Sequence, residues 1–145
     1  MKQITEDYCS FEIAKLLKEK GFDGECRMTY REHDMQMIYY TPNPNNLLDF
    51  TTNRKKLEKH SKKQHCDYAL CPTHQMALKW LREVHNIHIE IYRTACGYLY
   101  IVSNIPYGTD LYNPEYGGDD ENSGQWTTYE KAVEAALLYV LKNLI

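Results

Sequence analysis

The chain has 145 residues, which fits one domain of ordinary size and is too short for two independent cores of that size. Hydrophobic residues make up 43% and charged residues 26%, which is close to the globular average and argues against a disordered chain. The formal net charge of −3 argues against a dedicated nucleic-acid-binding protein, since such domains are usually basic.

The first part of the chain predicts a helix followed by a β-hairpin. Residues 10–22 carry apolar side chains at helical spacing, with Ser10 as the N-cap and Gly21 as a left-handed stop. Residues 25–31 and 35–41 predict two strands, joined by a tight polar turn at His33 and Asp34.

Residues 42–71 predict a long loop. Pro42 and Pro44 end regular structure, and we expect Leu47, Leu48 and Phe50 to pack into the core. A short exposed helix over residues 54–64 is an alternative, although only Leu57 among them is strongly apolar.

A second helix and hairpin follow. Residues 72–86 predict a helix that Asn86 ends in the left-handed conformation. Alternation in residues 87–93 predicts a half-buried strand with its isoleucines facing the core. After a turn at 94–97, residues 98–103 predict the returning strand, with Leu99 and Ile101 facing the core.

The end of the chain predicts a long irregular loop and a third helix. Residues 104–126 are rich in Gly and Pro. Residues 127–145 carry a buried apolar stripe at helical spacing, and Thr127 with Glu130 fits a capping box.

These elements predict an α+β fold in a single domain that spans residues 1–145. The order is helix–hairpin, helix–hairpin and C-terminal helix, with long loops at 42–71 and 104–126. The simplest arrangement is an antiparallel four-stranded sheet with helices on one face. The other face would then display four side chains: His88, Tyr92, Tyr98 and Tyr100.

The sequence predicts a cytoplasmic protein with reduced thiols. The N-terminus lacks the apolar run of a signal peptide, and no segment approaches the ~20 apolar residues of a membrane helix. The five cysteines are an odd number, and cytoplasmic thiols stay reduced.

Cysteine and histidine donors for a metal lie close together in one stretch. They are His60, His65, Cys66, Cys71 and His74. The spacing fits no standard zinc finger, so we predict no metal site and no cofactor. Cys96, beside Gly97 with Arg93 and His88 on the same hairpin, is a possible nucleophile, but no motif fixes a thiol–imidazole pair.

Other signatures of catalysis are missing from the sequence. The acidic run at 119–121 is typical of a solvated turn. The chain has no Walker loop, dinucleotide turn, nucleophile elbow or HExxH motif. The sequence therefore indicates no reaction and favours binding over catalysis, with a small enzyme of unknown class that uses Cys96 or the acidic run as an alternative.

Aromatic side chains form the main candidate binding surface. The chain holds 13 Tyr against 3 Phe, and Tyr offers a large contact area together with a polar hydroxyl. The excess is densest in the last hairpin and the loop after it. The candidate residues are Tyr92, Arg93, Tyr98, Tyr100, Tyr107, Tyr112, Tyr116 and Trp126. The alternative is a loop that its own rings pin to the domain.

A basic segment offers a second candidate surface. Residues 54–63 hold six basic side chains and one acidic one. Such a run is usually a solvated face, but with exposed Tyr it could bind a nucleotide or nucleic acid.

Three segments resemble small proteins encoded by phages and integrated mobile elements of gut Bacteroidales. They are SFEIAKLLKEKGF near the start, PTHQMALKWLREVHNIHIEIYRTACGYLYIVSNIPYGTDLYNPEYGGDDENSGQW, and the ending TTYEKAVEAALLYVLKNLI. That family has no established activity, so the resemblance implies a setting and no catalytic residues. In that setting we expect an accessory protein that binds a host protein, a host-defence component or a small molecule. Nucleic acid is less favoured, no membrane is implied, and the oligomeric state is not indicated.

Overall fold

The structure, a computed structural model, describes residues 2–39, 51–114 and 126–145. The chain divides into two compact units, Met1–Met76 and Ala77–Ile145. Each unit contains a three-stranded antiparallel sheet and helices. The predicted α+β class is therefore confirmed. The predicted four-stranded sheet is wrong, because the described strands form two sheets of three, and the single domain stays a prediction.

The first unit contains the sheet β2-β1-β3, in which β1 is the central strand. Its elements, in chain order, are α1 (Phe11–Glu19), β1 (Met28–Arg31), β2 (Gln36–Tyr39), α2 (Arg54–Gln64) and β3 (Tyr68–Cys71). Both α2 and β3 lie in the stretch predicted as a long loop. Every residue of β3 is buried, so it shows none of the alternation by which a strand is recognised in a sequence.

Helix α1 begins and ends as its sequence predicts. Ser10 Oγ accepts a hydrogen bond from the Ile13 backbone N–H at 3.4 Å. At the other end Gly21 has φ +88°, and the Phe22 N–H donates to the Leu17 carbonyl at 2.9 Å. This is a Schellman ending, and it folds the buried Phe22 ring back toward the helix.

The core of the first unit lies between α1 and the sheet. It is built from Ala14, Met28, Tyr30, Ala69 and Cys71, with Tyr8 and Phe11 at its edge. Tyr30 is buried, and its hydroxyl donates to the Cys9 carbonyl at 2.8 Å, so the buried polar atom has a partner.

The second unit contains the sheet β4-β5-β6, in which β5 is central. Its elements are α3 (His74–His85, with its first three residues in the first unit), β4 (Ile87–Arg93), β5 (Tyr98–Asn104), β6 (Asp110–Tyr112) and α4 (Tyr129–Asn143). Helix α4 packs against β4 and β5. Strand β6 lies within the predicted 104–126 loop, and its three residues are too few to show a period in the sequence.

The register between β4 and β5 reverses the predicted orientation of β5. Ile91 pairs with Tyr100 and Ile89 pairs with Val102, so these four side chains share the face that packs against α4. Leu99 and Ile101 point to the opposite face, where Leu99 is only 3% exposed and Ile101 is half-buried, so Leu99 is buried as predicted and the orientation is wrong for Tyr100 and Val102. A shift of one residue in register exchanges the two faces of a strand, and the four-residue turn at 94–97 sets that register.

Helix α4 begins one residue later than its sequence predicts. Thr128 Oγ1 accepts a hydrogen bond from the Lys131 N–H at 3.1 Å, so Thr128 is the N-cap and the capping box at Thr127 is wrong. Six buried residues of this helix form its inner face: Ala132, Val133, Ala136, Leu137, Val140 and Leu141. In the part of the chain that the structure describes, no helix has the length and apolar character needed to cross a membrane.

The reversed register can be tested with two isosteric or near-isosteric substitutions. Val102 is fully buried, so Val102→Thr places a hydroxyl in the core and should lower the free energy of unfolding by about 1–3 kcal/mol. Ile101 is half-buried on the other face, so Ile101→Thr should cost less. Urea titration of both variants measures the difference, and a larger loss at Ile101 would contradict this register.

Candidate ligand-binding site

A cavity of about 480 Å³ lies in the first unit, between α1, α2 and β3. Small-molecule sites typically measure roughly 300–1,000 Å³, so this volume suits a compact ligand. Its lining residues are Lys18, Phe22, Arg54, Leu57, Glu58, Ser61, Lys62, His65, Cys66, Asp67, Tyr68 and Leu70.

The lining combines an apolar part with a charged part. Phe22, Leu57 and Leu70 are buried hydrophobic side chains. The charged side chains are three cations, Lys18, Arg54 and Lys62, and two carboxylates, Glu58 and Asp67. Such a cavity can hold an apolar or aromatic body while a polar group of the ligand contacts the charges.

Helix α2 forms one wall, and hydrogen bonds fix its first turn. Asn53 is the N-cap: its Oδ1 accepts from the Lys56 N–H at 3.1 Å, and its Nδ2 donates to Glu25 Oε1 at 2.9 Å. The Arg54 N–H donates to Asp23 Oδ1 at 2.9 Å. These bonds join the helix to the segment that follows α1.

The middle of α2 contacts the protein through few side chains. Leu57 is its buried residue, and the His60 ring lies 5.0 Å from the Tyr68 ring. Burial lowers the pKa of His60, and the charge of Lys63 lowers it further. The lowered pKa favours the neutral form of His60.

The last turn of α2 leads directly into β3. His65 adopts a left-handed conformation with φ +52°, and the Cys66 N–H donates to the Ser61 carbonyl at 3.2 Å. One residue later the Glu32 N–H donates to the Asp67 carbonyl at 2.9 Å. This bond extends the pairing of β1 with β3 beyond the strands themselves.

That extended pairing brings Cys66 beside His33. Arg31 pairs with Tyr68, so continuing the antiparallel register by two residues places His33, in the β1–β2 turn, opposite Cys66. The Cys66 Sγ lies 3.3 Å from His33 Nδ1. The other ring nitrogen, Nε2, lies 3.9 Å from Asp34 Oδ2.

Ion pairs hold several of the charged groups around the cavity. Lys18 Nζ lies 2.9 Å from Glu32 Oε2, and Arg54 Nε lies 3.3 Å from Glu58 Oε1. Lys62, by contrast, has no ion pair with any residue that the structure describes. Its ammonium group is the cation of the lining most ready to meet an anionic ligand.

Asp34 is held in its charged form beside the turn. The guanidinium of Arg31 donates to its carboxylate, with Nε 3.0 Å from Oδ1, and lowers the pKa of Asp34 to about 2. The carboxylate therefore remains negative at neutral pH, next to the His33 ring.

The tyrosines predicted as a binding surface lie in the second unit, and several of them contact one another. Tyr100 is only 3% exposed, with its ring centroid 5.1 Å from that of Trp126 and 6.0 Å from that of Tyr112. Tyr112 stacks on Tyr139 of α4 at 3.7 Å. Burial raises the pKa of Tyr100, as expected for a phenol away from water.

The backbone places these rings along one edge of β5. Tyr98 and Trp126 exchange two backbone hydrogen bonds, at 2.8 and 2.9 Å. Further along the same strand, Val102 pairs with Tyr112. Tyr112 and Trp126 are thus both joined to one strand. Tyr98 also meets a charge, because the Arg93 guanidinium lies 5.1 Å from its ring centroid.

The remaining predicted surface residues have separate environments. Tyr92 is half-buried on the face of the sheet opposite to Tyr100. Tyr107, between β5 and β6, is 85% exposed. Tyr116 lies outside the described residues.

Of the other sequence-based candidates, His65 and Cys66 line the cavity, and Cys96 and Cys71 do not. Cys96 is exposed in the turn before β5, where its N–H donates to Thr94 Oγ1. Cys71 is buried, and its thiol contacts the Cys9 carbonyl at 3.5 Å. Within residues 2–39, 51–114 and 126–145, no three metal-binding side chains are grouped as ligands. The acidic run at 119–121, with Leu47, Leu48 and Phe50, lies outside the described residues.

Sequence reasoning missed the cavity and the Cys66–His33 pair. The available signal was the apolar run at 68–71 directly after a basic segment, which could have been assigned as a third strand beside the first hairpin. With that strand in place, the turn at His33 and the entry to β3 become neighbours.

Comparison with known protein families finds no matching family. Comparisons with curated proteins and with solved structures find no match either.

The stacked pair Tyr112–Tyr139 can be tested with a double-mutant cycle. Removing either ring should destabilise the protein, and the coupling between Tyr112→Ala and Tyr139→Ala should be about 0.5–1.5 kcal/mol, the value typical of aromatic pairs. Tyr107→Ala is the control, because that exposed ring should leave the free energy of unfolding unchanged. Additive losses within about 0.3 kcal/mol would show that the two rings do not interact.

Proposed function

We propose that this chain is a binding protein and that its first unit takes a small anionic ligand with an apolar or aromatic body. The observation that supports this most directly is the cavity beneath α2, where buried hydrophobic side chains adjoin Lys18, Arg54 and Lys62. A nucleotide is the ligand class that best fits this combination. Its base can pack against the apolar wall and its phosphate can meet the cations.

The charge distribution around the cavity supports the same proposal. Helix α2 carries six basic side chains and one acidic one within residues 54–63. Its positive field attracts anions, while the cavity gives them an apolar contact that a solvated basic helix does not provide. The sequence-based alternative of nucleotide binding through the basic segment is therefore favoured over binding through the tyrosines.

Lys62 should contribute directly to ligand affinity. Lys62→Ala should weaken nucleotide binding about tenfold, since a hydrogen bond to a charged group contributes about 1.5 kcal/mol. Isothermal titration calorimetry, after a thermal-shift screen of nucleotides and oligonucleotides, measures the change. Lys55→Ala is the matched control, because Lys55 lies on the same helix outside the cavity lining. An equal loss in both variants would point to the field of the helix and not to the cavity.

A second candidate function is contact with a partner protein at the turn between β5 and β6. Three exposed apolar side chains lie close together in sequence there: Ile105 is 37%, Tyr107 85% and Leu111 43% exposed. Tyr is favoured at protein interfaces, where its ring adds contact area at low entropic cost. The predicted binding surface of the second unit is therefore centred on Tyr107. The rings of Tyr112 and Trp126 pack against Tyr100 and are less available to a partner.

The partner proposal predicts a specific loss of capture. Tyr107→Ala should leave the thermal transition unchanged and should abolish retention of the partner from a Bacteroidales lysate, the host that the sequence resemblance implies. Tyr39→Ala is the control, since that ring is 70% exposed and lies in the other unit. Retention of the same partner by Tyr107→Ala would exclude this surface.

A further inference from the structure

We propose that Cys66 is a reactive thiol that forms a mixed disulfide with a small carboxylate-bearing disulfide held in the cavity. This inference rests on the proposed function, because it uses the same cavity and the same cations. The inference adds to the proposed reversible binding a covalent step at Cys66, with a small carboxylate-bearing disulfide as the reactant.

The geometry supplies a nucleophile and a proton acceptor. Cys66 lines the cavity, and its Sγ lies 3.3 Å from His33 Nδ1, within hydrogen-bonding reach for a thiol. The arrangement of nucleophile, base and a third group that favours the protonated base is the one that activates thiols in proteins. The Asp34 carboxylate, which also accepts hydrogen bonds from Arg31, lies 3.9 Å from the far nitrogen of the ring, beyond hydrogen-bond distance, so it acts on His33 only through its charge.

A base beside Cys66 is needed because the C-terminal end of α2 disfavours the negative charge of a thiolate. Cys66 follows the carbonyl end of that helix, whose partial negative charge disfavours an anion and favours a cation. The His33 ring offsets that effect when it accepts the thiol proton, because the positive charge then forms beside the sulfur. The His33 side chain is 66% exposed, so water can carry protons to and from the ring.

The other thiols of the chain differ from Cys66 in ways that provide internal controls. Cys9, Cys26 and Cys71 are buried, and burial raises the pKa of the Cys26 thiol to about 12. Cys96 is exposed, and its described contact is a backbone hydrogen bond to Thr94. It is therefore a reference for a thiol that is accessible and has no base beside it among the residues that the structure describes.

The step is an exchange in which atoms and electrons balance. The Cys66 proton passes to His33, and the thiolate attacks one sulfur of the disulfide R–S–S–R. A bond forms between Sγ and that sulfur while the S–S bond breaks. The leaving RS⁻ takes the proton from His33, giving a protein mixed disulfide and free RSH. Cys66 is oxidised and the small disulfide is reduced, so no further reactant is required.

The charges of the lining select the reactant. Lys62, together with Arg54 and Lys18, favours a disulfide with carboxylates over one with ammonium groups. Oxidised glutathione and cystamine are suitable probes, because both are small symmetric disulfides and their net charges are opposite.

The experiment measures the modification of each cysteine in the folded protein by mass spectrometry over time, at pH 7. Iodoacetamide, which is neutral, should alkylate Cys66 about 3–10 times faster than Cys96, because His33 can accept the thiol proton as the sulfur attacks. Oxidised glutathione should modify Cys66 preferentially, and cystamine should not. His33→Gln should reduce the rate at Cys66 to that at Cys96 and leave the rate at Cys96 unchanged.

Two variants separate this inference from the function on which it rests. His33→Gln should slow covalent modification of Cys66 and retain reversible nucleotide binding, because His33 does not line the cavity. Lys62→Ala should slow the reaction with oxidised glutathione and leave the reaction with iodoacetamide unchanged. Equal rates at Cys66 and Cys96 with intact nucleotide binding would overturn the covalent step alone. A reactive Cys66 without any nucleotide binding, and with no effect of Lys62, would overturn the proposed function.

Discussion

The antiparallel pairing of β1 with β3 is the constraint on which the candidate site depends. It fixes the position of β3 next to the first hairpin, and so it fixes where α2 must end. The register Arg31 with Tyr68 continues through the Glu32–Asp67 hydrogen bond and sets Cys66 opposite His33. A slip of one residue would put Asp67 in that place and turn Tyr68 away from His60. The cavity and the thiol–imidazole pair are therefore consequences of one backbone register.

Helix α2 is mostly charged, yet it has a fixed position as one wall of the cavity. Its sequence provides little burial, since Leu57 is its one buried residue in the described chain. Its position comes instead from polar anchors at the first turn, supplied by Asp23 and Glu25, and from the left-handed turn at His65. Because few of its side chains are needed for packing, its basic residues remain available around the cavity. Because few of its side chains pack in the core, its sequence is typical of an exposed helix and does not indicate that the helix forms a wall of the cavity.

The local elements could be predicted from the sequence, and the pairing of distant segments could not. Ser10, Gly21 and Asn86 act through their own neighbours in the chain, so the helix ends that they mark are confirmed. Strand β3 was missed because a fully buried four-residue run has no period. The orientation of Tyr100 was missed because a register depends on the turn that sets it. The candidate site depends on a local pattern and on a distant pairing. The basic run at 54–63 is apparent in the sequence, whereas the pairing that places Cys66 beside His33 is not.

The excess of Tyr over Phe also has a physical basis in the second unit. Tyr100, Tyr112 and Trp126 sit along one edge of β5, and α4 adds Tyr139 to the same group. Rings in such a position bury their faces against one another, and the hydroxyl gives a ring at the border of a core a polar end that can stay near water. Phe would provide the packing without that polar end. Tyr107 differs from these tyrosines, because its ring is exposed and does not pack in the group. The composition counts both kinds of tyrosine alike, so it could not distinguish the packed rings from the exposed one.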